Sequence, residues 1–359
     1  MQDSNISLIG LFLSAKGLGQ AARNIAHSLS TTSHSFSCVN IDSNDGAGGD
    51  TEFINKYSKY LPDKINFVIS GIDATEFILE QMSSLGLGKK NYFYPYWELD
   101  RIPSNVIKAI SRYDKIIAPT QFIADTFQKY VDYKVSVINQ PVLIPQRISI
   151  NIIEDGILSI LCMMDLGSYI DRKNPNGAIE AFQMAFPPNI NDVELIIKIK
   201  GERDLGLKNE LVSYCSKDSR IKVIDEDLDR REITKLMNKC NVFLSLHRAE
   251  GFGFGPAEAM AAGKIVVATQ YGGVTDFLHK SNSYPISYKM IPVQEGAYIY
   301  ADNQMWADPS LSHAALALQE IYKNFDQAVK RANKGRELMI NKFSFKSVGK
   351  QLQNFFDLN

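Results

Sequence analysis

Two doubly wound α/β domains, each a parallel sheet covered by helices, are predicted by three features of this 359-residue sequence. Short apolar runs alternate with helical patterns from one end to the other. The alternation stops once, over residues 139–153, where Pro141 and Pro145 sit in an extended stretch. The length suits two domains of about 150 residues each.

The elements follow in order. Residues 6–12 are a short, mostly apolar run of the kind a strand buried on both faces needs. A helical pattern covers 19–29. Strands are then expected at 36–41, 65–70, 91–96, 115–118 and 134–138, with helices at 73–85, 104–111 and 121–129 between them. Parallel strands require crossovers, and helices supply them. After the proline-containing stretch the rhythm restarts, with strands at 157–163, 193–199, 221–224, 242–246 and 265–268 and helices that include 177–186 and 231–239. An amphipathic tail, 343–356, reads as a last helix. The run Asp45-Gly46-Ala47-Gly48-Gly49-Asp50 reads as a simple connection. Two such halves facing each other would make a deep cleft lined by the carboxyl ends of both sets of strands.

Composition narrows the function. Hydrophobic residues make up 45% and charged residues 22%, and the formal net charge is −1, which gives no basic excess for a nucleic-acid partner. No run approaches 18 apolar residues, so no spanning helix is expected, and the first residues lack the basic start of a secretory signal. The 4 cysteines are scattered, as in reduced cytoplasmic proteins, and the 5 histidines form no metal-binding pattern. Residues 1–145 hold 13 basic and 14 acidic side chains, so no cationic field for anionic lipid exists there.

The most informative window runs from Ser245 to Glu258. A buried strand ends in a glycine-rich turn, Gly251-Phe252-Gly253-Phe254-Gly255, and Pro256 then suits the first turn of a helix ending at Gly263. Such a turn brings backbone amides close to a ligand at the positive end of a helix, an arrangement suited to phosphate. Glu250 and Glu258 flank the turn. Carboxylates beside a phosphate are unfavourable, so hydrogen bonds from sugar hydroxyls are the role they fit. A second window, Asp165 to Pro175, places Arg172 and Lys173 after a strand, where adjacent cations balance a diphosphate. In the first half, Gly17-x-Gly19-x-x-Ala22 with Asp42 approximates a dinucleotide fingerprint and supports a rival oxidoreductase reading. Ser14-Ala15-Lys16 spaces the first glycine too far from its strand for that turn. Tyr94-Pro95-Tyr96-Trp97-Glu98 could face a sugar. Asp225-Glu226-Asp227-Leu228-Asp229, with its Asp-x-Asp spacings, is expected to cap the next helix, not to hold Mg²⁺.

With these residues in view, the chain resembles the group-1 retaining glycosyltransferases of the GT-B fold, in which two Rossmann-like domains face each other across a deep cleft. The resemblance is carried by Ser245 to Gly253 with Glu258 (a Glu-x7-Glu spacing), by Arg172-Lys173-Asn174-Pro175 and by Tyr271 to Phe277. It implies an N-terminal acceptor domain at 1–145, a nucleotide-sugar donor domain at 155–343, and a last helix, 344–359, packed back on the first domain. It implies that Glu250 binds the donor sugar, Glu258 the ribose, and Lys173 with Arg172 the leaving diphosphate. The amides of Phe252, Gly253, Phe254 and Gly255 would hold sugar and phosphate, Gly17 and Gly19 would approach from the other domain, and Glu226 and Asp227 would lie against the base. Two departures stand out. Gly167-Ser168 occupies the region where many relatives have an arginine ahead of the lysine. Trp97-Glu98 stands where many have a histidine, which makes Trp97 and Glu98 candidates for the acceptor or sugar.

The implied activity is metal-independent transfer of a hexose from a UDP-glucose-like or GDP-mannose-like donor, without cofactor. A glycan or lipid-linked glycan of a surface polysaccharide pathway would accept it, in the cytoplasm at the inner face of the membrane with weak peripheral membrane contact. A non-catalytic sugar-nucleotide binding protein of the same fold is the alternative beside the oxidoreductase.

Overall fold

In the computed structural model, residues 5–41, 51–58, 65–85, 90–146, 156–201 and 205–358 are described. Asp42 and the 45–50 loop lie outside the described residues. The chain divides into two units, Met1–Leu143 with Ile340–Asn359, and Ile144–Met339.

The first unit is built on six strands, β1 (Asn5–Gly10), β2 (Ser35–Asn40), β3 (Ile65–Gly71), β4 (Lys90–Tyr96), β5 (Lys115–Ala118) and β6 (Ser136–Val137). They pair in parallel in the order β2-β1-β3-β4-β5-β6. All seven residues of β3 are buried, as the centre of a sheet covered on both faces requires. Helices α1 (Gly17–Leu29), α2 (Thr51–Lys56), α3 (Thr75–Leu85), α4 (Ser104–Ile110) and α5 (Gln121–Gln128) make the crossovers. The segment after β6 is tied to the end of β4: the Tyr94 hydroxyl donates to the Ile138 carbonyl at 2.8 Å, and the Tyr96 hydroxyl bonds the Gln140 side chain.

In the second unit, β7 (Leu158–Asp165), α6 (Ile170–Lys173), α7 (Pro175–Ala185), β8 (Val193–Lys200), α8 (Leu205–Cys215), β9 (Ile221–Asp225), α9 (Arg230–Lys239), β10 (Val242–Ser245), α10 (Phe254–Ala261), β11 (Ile265–Thr269) and β12 (Tyr284–Ile286) follow in turn. The parallel sheet runs β12-β11-β10-β7-β8-β9. Its order reverses between β7 and β10, so the chains leaving these two neighbours turn opposite ways and open a crevice at their carboxyl ends. Both sequence windows singled out above leave the sheet there. An antiparallel hairpin that the apolar pattern did not reveal, β13 (Tyr288–Pro292) with β14 (Met305–Pro309), comes next, followed by α11 (Leu311–Lys323) and α12 (Phe325–Leu338). No described helix is long and apolar enough to cross a membrane.

The last helix, α13 (Phe345–Leu358), packs on α1 in the first unit. Its Phe356 meets Phe67 edge-on at 5.7 Å and lies parallel to Tyr92 at 6.5 Å, while Phe345 stacks on His27 at 5.1 Å. Close approach depends on Gly349, where an added Cβ would sit 2.1 Å from Thr31 Oγ1 and 2.7 Å from the Ser28 carbonyl oxygen. Helix propensity favours alanine over glycine by about 1 kcal/mol. Overpacking against a backbone oxygen costs about 1–3 kcal/mol. Gly349→Ala is therefore expected to destabilise the protein in urea unfolding; an unchanged or raised midpoint would show that this helix contact yields easily.

Candidate active site

The site in the second unit is assembled by cross-bonding the segment after β7 to the segment after β10. The Arg248 amide donates to the Arg172 carbonyl at 2.8 Å, Asn174 Nδ2 to the Leu246 carbonyl at 2.9 Å, and Arg172 Nη1 to the Ala249 carbonyl at 2.9 Å. Asn174 has φ +52°, in the left-handed region where asparagine is among the residues tolerated, and its side chain caps α7 through the Gly177 amide, with Pro175 at the first turn. Arg-Lys-Asn-Pro is thus a corner that ends one short helix and starts the next.

This corner brings both cations to Glu250. Lys173 Nζ lies 2.5 Å from Glu250 Oε1, and Arg172 Nη1 lies 3.4 Å from Oε2. Glu250 is 9% exposed. Burial alone would raise its pKa, but Lys173 and Arg172 outweigh that and hold it down at about 2. It is a carboxylate at any physiological pH, able to accept hydrogen bonds and unable to serve as an acid.

The backbone of Glu250 is braced from below by Tyr271-Gly272-Gly273. The Gly273 amide donates to the Glu250 carbonyl at 2.8 Å. Gly272 has φ +82°, and a Cβ on Gly273 would fall 1.9 Å from the Gly251 oxygen, so these positions admit glycine only. Gly253, at φ +86°, starts α10 without a side-chain cap. The amides of Phe254 and Gly255 lie in the first turn of α10, ahead of the helix's own hydrogen bonds. The Phe252 ring is 2% exposed, packed against Phe254 and Phe277, which leaves its main chain as the part that lines the turn.

The remaining sequence candidates fall into place around these or apart from them. Glu258, on α10, is paired with Arg230 at 2.7 Å. Glu226 and Asp227 are exposed in the turn after β9, while Asp225 pairs with Lys208 at 2.8 Å. Within the acidic run, Asp229 is the residue that caps α9, in a capping box with Glu232. Among the described residues no group of three His, Cys, Asp or Glu is arranged to hold a metal ion. Gly17, Gly19, Trp97 and Glu98 belong to the first unit. Leu11 to Lys16 separate β1 from Gly17, and Gly19 is needed because a Cβ would meet the Ser14 oxygen at 2.2 Å. Arg23, buried, holds the turn below by donating to the Phe12 and Ser14 carbonyls at 2.6 and 2.8 Å. Trp97 is 2% exposed, its Nε1 donating to the Arg101 carbonyl, and Glu98 beside it is half-buried.

His247 was overlooked as a site residue although it lies inside the glycine-turn window. It is fully buried, with Nδ1 3.0 Å from Ser245 Oγ and Nε2 3.3 Å from the Tyr271 oxygen. Burial, aided by Lys173 and Arg172, outweighs the pull of Glu250 and lowers its pKa to about 4. It is neutral at pH 7. The histidine of the unfolded chain takes up its proton near pH 6.5, and the folded one near 4. Between these values the unfolded state binds more protons, so stability falls as pH falls. Urea titrations at pH 7 and pH 5 should show about 2 kcal/mol less acid loss for His247→Asn than for the wild type. Equal losses would mean that His247 is protonated in place.

Comparison with known proteins agrees with this fold. Residues 162–283 match the family model described as glycosyl transferases group 1. An uncharacterized glycosyltransferase, MJ1178, of Methanocaldococcus jannaschii is 28% identical over 114 residues, which is 32% of this chain and 30% of that protein. HepE of Anabaena, crystallised with UDP and glucose, superimposes with a TM-score of 0.71 at 13% identity, covering 99% of this chain and 100% of its own. Sucrose-phosphate synthase of Thermosynechococcus elongatus gives 0.72 at 12% identity, covering 99% and 98%. The chain has the two-sheet α/β fold of GT-B glycosyltransferases, and the part of it that holds Lys173, Glu250 and the glycine turn matches the group-1 glycosyltransferase family.

Proposed function

We propose that this protein is a retaining hexosyltransferase that takes its sugar from a nucleotide-diphosphate donor, UDP-glucose-like or GDP-mannose-like. The proposed acceptor is a glycan or lipid-linked glycan in surface polysaccharide assembly, met on the cytoplasmic side of the membrane through at most a weak peripheral contact. The observation that carries the reading is the pairing of Lys173 with the buried carboxylate of Glu250 beside the uncapped start of α10, at the point where the sheet order reverses. That HepE holds UDP and glucose in a similar fold supports the donor class.

In this reading, Glu250 accepts hydrogen bonds from ring hydroxyls as positive charge develops on the sugar. Lys173 turns to the leaving diphosphate, with the Arg172 charge and the first amides of α10 adding to the positive potential. Glu258 would take the ribose, Glu226 and Asp227 the base, Gly17 and Gly19 would approach the donor, and Trp97 with Glu98 would serve the acceptor or sugar. These cations and amides neutralise the diphosphate without a divalent ion. What the groups beside the turn can do supports retention. A carboxylate held near 2 and paired with a lysine is a poor base, and His247 is neutral with both ring nitrogens engaged. The departing phosphate oxygen itself would take the acceptor's proton. The bond from the anomeric carbon to phosphate breaks, the bond to the acceptor oxygen forms on the same face, and the nucleoside diphosphate leaves.

Two outcomes are expected. Glu250→Ala should fold and lose at least about 100-fold in turnover, the scale of an electrostatic contact at a transition state; near-normal turnover would remove Glu250 from the chemistry. With an α-linked donor in excess EDTA, proton NMR of the first turnovers should show an α-linked product. A β-linked product would refute retention, and activity restored only by Mg²⁺ or Mn²⁺ would refute metal independence.

A further inference from the structure

Arg172 and Lys173 are adjacent in sequence, yet the structure treats them differently. The Lys173 side chain is 21% exposed and that of Arg172 is 4% exposed. Both terminal nitrogens of Arg172 are engaged by protein: Nη1 by the Ala249 carbonyl at 2.9 Å and Glu250 Oε2 at 3.4 Å, Nη2 by Ser168 Oγ at 2.6 Å and the Ser168 carbonyl at 3.3 Å. The face of the guanidinium is covered as well. The Tyr298 ring centroid lies 5.8 Å from Cζ, and Tyr298, 9% exposed, is met edge-on by Tyr169 at 4.9 Å. Tyr169 itself is in the left-handed region, φ +62°, an unfavourable conformation for a tyrosine that turns the chain into the short helix carrying Arg172. The main chain on both sides is fixed too, since Arg248 donates its amide to the Arg172 carbonyl and Nη1 to the Asp171 carbonyl at 2.8 and 2.9 Å.

Turning this guanidinium toward a ligand would strip a buried carbonyl of its donor and a buried carboxylate of one of its two cations, both costly. Turning Lys173, a compact charge on a flexible stem, also takes a cation from Glu250, but it leaves Arg172 in place beside that carboxylate and, among the described residues, takes no donor from a buried carbonyl. We propose that Arg172 is a positioning residue that fixes Glu250, that Tyr298 is the cover that keeps it in place, and that Lys173 is the member of the pair that meets the diphosphate. The proposal rests on the sugar-transfer reading above. Tyr298 lies beyond residues 162–283, where the family model matches.

The test uses the whole protein with UDP and GDP in calorimetry and with UDP-glucose and GDP-mannose in a donor-hydrolysis assay. For the nucleotide that binds, Arg172→Lys and Tyr298→Leu should keep the dissociation constant within about 3-fold of wild type while hydrolysis turnover falls about 10-fold or more. In a Glu250→Ala background, Arg172→Lys should have little further effect, because it acts through that carboxylate; in a Lys173→Ala background its effect should persist. A diphosphate contact behaves otherwise: lysine rescues turnover, or the nucleotide weakens by 10-fold or more, or the effect persists without Glu250. Any of these, in an otherwise normal wild type, overturns the proposal and leaves the sugar-transfer reading intact. A wild type that binds neither nucleotide and hydrolyses neither donor overturns both. Should Arg172→Lys fail to fold, Tyr298→Leu, which leaves the polar partners of Arg172 in place, decides the question by the same measurements.

Discussion

A carboxylate held away from water must be matched by cations, and the second unit is organised by that requirement at Glu250. Removing an ion from water costs several kcal/mol even after the protein relaxes. Here the compensation comes from Lys173 and Arg172, 77 and 78 positions earlier in the chain. The two segments therefore have to be sewn together by main-chain and amide hydrogen bonds, so that the charges meet before any ligand arrives.

That sewing explains residues whose roles look unrelated. Asn174 is left-handed because the chain must bend between two helices while its side chain ties the corner to Leu246. Gly272 and Gly273 lack side chains because they lie flat against the Glu250–Gly251 peptide. His247 is neutral because it is fully buried, and the charges of Lys173 and Arg172 add to the cost of protonating it. Arg248 reaches outward instead, 5.7 Å from the Trp306 ring centroid and 3.7 Å from Asp308, while its carbonyl accepts from the Ala307 amide. The hairpin of β13 and β14 is thereby joined to the segment that carries Glu250.

The sheets were legible in the sequence because strands buried on both faces are written as apolar runs, and β7 to β11 begin and end close to where they were expected; the three-residue edge strand β12 was not expected, being too short to leave a pattern. The motif segments were legible because glycine and proline mark backbone needs directly. The hairpin was not: most residues of Tyr288–Pro292 face solvent, so no alternation betrays it. Helix α12 hides behind a polar composition, its buried side being only Ala328, Ala332 and Gly335, although their spacing of four and three is a helical stripe of small residues. Trp97 illustrates the limit for aromatics, since a ring that packs and a ring that faces a sugar have the same letter. Tyr298 carried no signal at all, because covering a guanidinium needs a place in space and no partner nearby in sequence.

The return of α13 to the first unit sets a clock on how this protein is made. The surface formed by Phe67, Tyr92 and His34 is finished only by Phe356, and Val142 takes the Phe343 carbonyl as its hydrogen-bond acceptor. At roughly 5–20 residues per second, the ribosome adds the intervening second unit over about 10 to 40 s after the first has emerged. During that interval the first unit has its six strands but an uncovered aromatic face, while the second, continuous from Ile144 to Met339, can fold without waiting. The unit whose synthesis begins first is therefore the one completed last.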